Sequence, residues 1–222
     1  MADRPIIFSA PMVRALLEGR KSQTRRVLNP QPDLTDADRV RCVEWKGAIY
    51  SGNTRILYAP GDRLYVREAW RTARAYDDLV PSEMAGEEPV KYEADGAEQM
   101  WGWPDLFQPG RYRHARFMPR WASRITLGVT EVRVQRLQEI SEADAVAEGI
   151  ERARSGRFYD PTVSRGTAAH LGGMHLSARS AYEVLWNSLH GPDAWDANPW
   201  VVAVSFTVER RNIDVPLEVA NA

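Results

Sequence analysis

Short strand patterns, stopped every few residues by turn signals, constrain this chain most. Its 222 residues carry 14 prolines and 15 glycines, and this punctuation leaves room for brief strands but few long elements. Such a chain builds hairpins, not the regular strand-helix alternation of a doubly wound parallel sheet. Ser9 is a good N-cap, Pro11 fits a first turn, Met12, Leu16 and Leu17 form a stripe, and Gly19 is a stop. These signals predict a helix over 10–18. Thr24, Arg26 and Leu28 alternate with Arg25 and Val27, a short strand in which Thr24 and Arg26 share a face. Residues 40–50 read as a hairpin around Lys46 and Gly47. After the turn 59–62, strand 63–70 points Leu64, Val66 and Glu68 one way and Tyr65 and Arg67 the other.

Residues 71–115 are polar, aromatic and irregular, and Trp101 and Trp103 within them offer stacking surfaces. Strands are expected at 124–129 and 131–137. Ser141 caps a helix over 142–148, with Asp144 at its N3 position and Gly149 as its stop. The stretch 164–174 is Gly-rich and reads as a candidate mobile lid. A second amphipathic helix over 178–189 turns Tyr182, Leu185, Trp186 and Leu189 inward, and strand 201–208 closes the pattern. The expected fold class is α+β: a small closed mixed β-barrel with peripheral helices. One domain is expected over 1–210, with insertions at about 71–115 and 151–177. The tail 211–222 is expected to fray from Asn212.

Composition narrows the function. Hydrophobic residues make up 44%, charged residues 27%, and net charge is -1, so no global field draws the chain to nucleic acid. Attraction to phosphate must be local, and basic clusters do occur at 20–26, 111–124 and 152–165. Arg far outnumbers Lys, which suits planar contacts to anions and bases. Cys42 is the only cysteine, so an internal disulfide is excluded and a reducing cytoplasm is the expected compartment. No apolar run reaches the roughly 18 residues of a membrane span. His170 and His175 lack a usual zinc spacing, and the other two histidines are scattered. No metal and no organic cofactor is expected.

The chemistry concentrates at 19–26. This stretch holds the Lys21 amine, the hydroxyls of Ser22 and Thr24, and the guanidiniums of Arg20, Arg25 and Arg26. Crowded like charges disfavour the ammonium form of Lys21, and burial disfavours it further. A neutral lysine is a general base. Thr24, three residues on, supplies a hydroxyl nucleophile. The competing reading is a solvated basic turn that docks on phosphate. Glu68, on the apolar side of its strand, either pairs with an Arg or serves in a site. Trp70 and Trp121 are the candidate base-stacking walls.

Gly19-x-Lys21-x-x-x-x-Arg26 after a first helix resembles the hallmark of the ASCH-domain family, a branch of the PUA-like β-barrels. Longer, phage- and prophage-associated members are similar in Phe8-Ser9-Ala10-Pro11-Met12, in the run from Gly61 to Glu68, in the run from Met118 to Arg124, and in the run from Trp195 to Trp200. These segments span most of the chain apart from the two insertions. Some small members of the family are amidohydrolases that deacetylate N4-acetylcytidine, and their catalytic lysine and threonine match Lys21 and Thr24. Their catalytic glutamate matches Glu148 by its position on a helix. The resemblance implies that an acid at Glu148 protonates the cytosine ring, or that a charged Glu148 orients the lysine. It also places Ser123 and Arg124 at the pocket; a tetrahedral oxyanion there would need donors, for which Arg26 or nearby backbone N–H groups are candidates. Other members are ribonucleases or RNA-binding modules. The expected partner is therefore a modified cytidine nucleoside or RNA.

Overall fold

The computed structural model describes residues 2–32, 42–45, 48–51, 54–99, 108–161 and 174–216. The Lys46–Gly47 turn, Trp101, Trp103, His170 and nearly all of the Gly-rich stretch lie outside the described residues. Along the chain run β1 (Asp3–Ile7), α1 (Ala10–Leu17), β2 (Gln23–Val27), β3 (Cys42–Trp45), β4 (Ala48–Ser51), β5 (Thr54–Ile56), β6 (Arg63–Arg67), β7 (Trp70–Arg71), β8 (Val90–Tyr92) and β9 (Glu98–Gln99). There follow β10 (Thr126–Arg136), α2 (Glu142–Ala147), β11 (Glu151–Arg152), β12 (Phe158–Tyr159), α3 (Ala178–His190) and β13 (Trp200–Glu209). The fold is mixed α+β, with few helices and several sheets. No sheet among the described residues closes into a barrel, so the expected closure is corrected. The chain forms two compact units.

The first unit comprises 1–17, 62–128 and 208–222. Here β6 pairs in parallel with β1, from Asp3↔Arg63 to Ile7↔Arg67, and antiparallel with the start of β10 at Thr126↔Tyr65. Leu64, Val66 and Glu68 are buried on one side, and Tyr65 is buried on the other beneath the guanidiniums of Arg67 and Arg120. Residues 71–115 are more regular than their composition suggests. β7, β8 and β9 form an antiparallel sheet over a core of Trp70, Met84, Val90, Tyr92, Met118 and Ala122. The tail does not fray at Asn212. Its side-chain amide donates to the carbonyls of Arg120, Trp121 and Ser123 at 2.9, 3.0 and 2.7 Å, and Ile213 is buried.

The second unit comprises 18–61 and 129–207. In it β13 lies between β10 and β2, and β2 pairs antiparallel with it from Gln23↔Ser205 to Val27↔Val201. β10 is one continuous strand of 11 residues, where two were expected. Nothing between 126 and 136 breaks it, since Gly128 keeps its pairing with Arg63. Ser141 caps α2 through the Asp144 N–H, and Asp144 reaches back to the Ser141 N–H, a reciprocal cap that fixes where the helix begins. Ser177 caps α3. The two helices bury Ala145, Ala181, Tyr182, Leu185 and Trp186 with Ile140, Ile150 and Val201. Leu189, expected inside, is half exposed because it lies in the last turn of α3. β3, β4 and β5 form a small antiparallel sheet.

The three carbonyls held by Asn212 set the first prediction. Asn212→Ala should lower unfolding stability by about 1–2 kcal/mol, read by urea titration, whereas a frayed tail would leave the midpoint unchanged.

Candidate functional site

Strand β2 and the end of α2 assemble the site in the second unit. Helix α2 is short, and its last carbonyls need partners. Ser22 N–H donates to the Ala147 carbonyl at 2.9 Å, and Lys21 Nζ donates to the Glu148 carbonyl at 2.9 Å. The turn before β2 thus caps the helix. The same Lys21 amine lies 2.6 Å from Glu148 Oε2, a short charge-assisted contact. Lys21 is 2% exposed and Glu148 is also buried. A carboxylate at a helix C-terminus opposes the helix dipole, and here two cations offset that cost.

The second cation is Arg25, which the sequence reading did not select for the site. Its Nη1 donates to Glu148 Oε1 at 3.2 Å and to Gln23 Oε1 at 2.6 Å. Its Nη2 lies 3.1 Å from Asp144 Oδ2, a contact of charge. Tyr182 donates its hydroxyl to Glu148 Oε1 at 3.4 Å. Three donors thus converge on Glu148, which suits an ionised carboxylate. Asp144 accepts from Arg133 Nη2 at 2.7 Å and from Gln23 Nε2 at 3.1 Å. The signal for Arg25 was present in the sequence, because strand alternation assigns Gln23 and Arg25 to one face and Thr24 and Arg26 to the other. The acids lie on the Gln23–Arg25 side. Thr24 is buried opposite Val204, and Arg26 is half buried opposite Val202.

Burial acts first on Lys21 and pushes its pKa down from 10.5; Arg26 and Arg25 add to the shift, and Glu148 opposes it. For Asp144, burial raises the pKa, but hydrogen bonds from Arg133 and Gln23 and the charges of Arg25 and Arg133 outweigh it. The result is a lowered value of about 2. Tyr182 is raised well above its ordinary 10 by burial and by Glu148.

The remaining candidates lie in the first unit, where most serve structure. Arg124 grips Glu68 with two bonds, Nε to Oε1 at 2.8 Å and Nη2 to Oε2 at 2.9 Å. It also holds Asp95 and stacks 4.0 Å from the Tyr92 ring centroid. Burial raises the Glu68 pKa, and Arg124 pulls it back. Of the two readings of Glu68, the structure has the arginine pair. The Ser123 hydroxyl is buried against the carbonyls of Val66 and Ile125. Trp70 is fully buried, edge-on to the half-buried Trp121, so it leaves no face for a base. Among the described residues no cluster of metal-ligating side chains occurs, and no helix is long and apolar enough to cross a membrane. No protein-family model, curated protein or solved structure matches this chain.

Two outcomes follow. Glu148→Gln strands Lys21 and Arg25 beside a neutral amide and should cost about 3–5 kcal/mol of stability, measured by chemical denaturation. Asp144, depressed on folding, stabilises fully above its ordinary pKa of 3.8, and that support is lost as pH falls toward about 2. The acid unfolding of Asp144→Asn should therefore show a shallower pH dependence between about 4 and 2.

Proposed function

We propose that this chain is an ASCH-type amidohydrolase of the PUA-like class, acting on an N4-acylated cytosine such as N4-acetylcytidine. One observation carries the reading: the Lys21 amine, disfavoured as an ammonium, lies 2.6 Å from Glu148 Oε2 in a water-poor cluster. A lysine so placed acts as a general base. Thr24 projects from the other face of β2, which favours water over the Thr24 hydroxyl as nucleophile. Lys21 takes a proton from that water as its oxygen bonds to the acyl carbon. The tetrahedral intermediate then breaks its C–N bond, and Lys21 returns the proton to the departing exocyclic nitrogen. Cytosine and a carboxylic acid are released, and the base is restored. Glu148 steadies the ammonium both at rest and midway, the deprotonated fraction of Lys21 being the working base, while Arg25 and Tyr182 are positioning residues that hold Glu148.

A second reading, a modified-base or RNA-binding module without turnover, is favoured by the role of Lys21 as a helix cap. Incubation with N4-acetylcytidine and detection of cytidine by mass separates the two. Under the first, Lys21→Met and Glu148→Gln should each lower kcat/KM by about 100-fold or more, and Thr24→Ala by far less. Activity should rise with pH as Lys21 deprotonates and level off below 10.5. Absence of turnover by the folded wild-type protein at high concentration, with RNA retained on a filter, establishes the second.

A further inference from the structure

The first unit contains a cleft of about 770 Å3, within the range of small-ligand sites. Its walls carry Arg67, Arg111, Arg113 and His114, with Tyr112 and Phe117 among the apolar surfaces, and no carboxylate among the described residues. The sequence reading gave the basic cluster 111–124 as a source of local attraction to phosphate, and named none of these residues as a site residue. Tyr112 and Phe117 are each 54% exposed, and Val80 beside them is 45% exposed. Exposed apolar side chains gathered in one concavity mark a binding surface.

Arg113 is the decisive residue. It is 5% exposed, yet its Nε has no hydrogen-bond partner among the described residues. Its Nη2 donates only to the Tyr76 carbonyl, at 2.9 Å, and its guanidinium stacks 5.6 Å from the Trp70 ring centroid. Among the described residues, no carboxylate lies in ion-pair contact with it. Asp77 acts on its charge from a distance, while Asp77 Oδ1 accepts the Arg111 backbone N–H at 2.8 Å. Arg67 repeats the pattern. Its Nε is buried without a partner, and its Nη1 donates to the Arg116 carbonyl at 3.1 Å. The Arg113 guanidinium, buried without a counter-ion, is costly, while Arg67 is half buried, and the described residues of the cleft supply no anion.

The segment that presents these groups is held in place. Trp70 and Arg113 exchange backbone hydrogen bonds, and Gly110 N–H donates to the Thr72 carbonyl at 2.8 Å. A Cβ on Gly110 would fall 2.3 Å from Asp77 Oδ1 and 3.1 Å from the Thr72 carbonyl oxygen, so a larger residue here would have to displace the Asp77 side chain. His114 Nδ1 accepts the Arg116 N–H at 3.2 Å, so a neutral His114 carries its proton on Nε2 as a further donor.

We propose that this cleft is a binding site for a phosphorylated nucleotide. The phosphate supplies the anion that Arg113 and Arg67 lack, with the planar fork of arginine matched to its oxygens. The base stacks on Tyr112, which is 54% exposed and carries the Arg71 guanidinium 5.8 Å from its ring centroid, and stacking of this kind accepts any base. A free nucleotide and a nucleotide within single-stranded RNA share this chemistry. The site does not depend on the Lys21 chemistry and is tested apart from it.

The full chain is titrated at low salt with a nucleoside 5′-monophosphate, its parent nucleoside, inorganic phosphate, and a short single-stranded RNA. Tryptophan fluorescence provides the readout, since Trp70 lies under Arg113. The monophosphate or the RNA should bind at least about tenfold more tightly than nucleoside or phosphate alone. Binding of the monophosphate identifies a free nucleotide, and binding of RNA alone identifies the strand. Arg113→Gln and Tyr112→Ala should each weaken binding by about tenfold. Tyr112 is half in solvent, so its variant keeps the fold even where the Arg113 variant does not. No saturable binding of either ligand, or binding that Tyr112→Ala leaves unchanged, overturns the proposal.

Discussion

The buried contact between Lys21 and Glu148 governs the organisation of the second unit. An ammonium cannot be taken out of water alone, and a carboxylate cannot either. Each is tolerable only because the other is 2.6 Å away and because Arg25, Tyr182 and a helix carbonyl complete the hydrogen bonding. The pair ties the turn before β2 to the end of α2, across 127 residues of sequence. Tyr182 belongs both to this polar cluster and to the apolar core between α2 and α3. Packing of the helices and orientation of the lysine are therefore one problem with one solution. A core substitution that moves α3 also moves a donor to Glu148.

Two arginines of the first unit show how pairing separates structure from binding. Arg124 and Arg113 both stack on aromatic rings and both enter the protein interior. Arg124 meets two carboxylates, Glu68 and Asp95, which outweigh the effect of burial and hold its proton more tightly than usual. Its electrostatics are complete. Arg113 meets a carbonyl and a ring, and burial with Arg111 nearby weakens its hold on its proton. Completed pairs lock a fold, whereas an incomplete one beside an open cleft has capacity left for a ligand.

Helix limits were legible because they depend on neighbours in sequence. Ser9 and Ser141 precede their helices for reasons visible within four residues. Strand faces were legible too, and the alternation of Thr24 and Arg26 against Arg25 was correctly read. Which face would meet the acids was not legible, because that depends on where α2 packs. Tyr65 and Arg67 were placed on the face opposite Leu64 and Val66, but that the guanidiniums of Arg67 and Arg120 would lie over the Tyr65 ring was not legible. The irregular composition of 71–115 hid a small sheet, because strands of two or three residues carry too little pattern to register. The aromatic surfaces also changed places: Trp70 is fully buried, and Tyr112 and Phe117 stand open.

By itself, the sequence determined the α+β class, the capped helices and the concentration of amine, hydroxyl and guanidinium groups between residues 19 and 26. These follow from backbone preference and from side-chain spacing along one strand or turn. Only the tertiary structure decided that Lys21 takes Glu148, that Glu68 takes Arg124, and that Arg113 meets no acid among the described residues. Those choices join residues far apart in the chain. Desolvation sets their outcome, since a charge leaving water settles on whichever partner the packed core brings within reach.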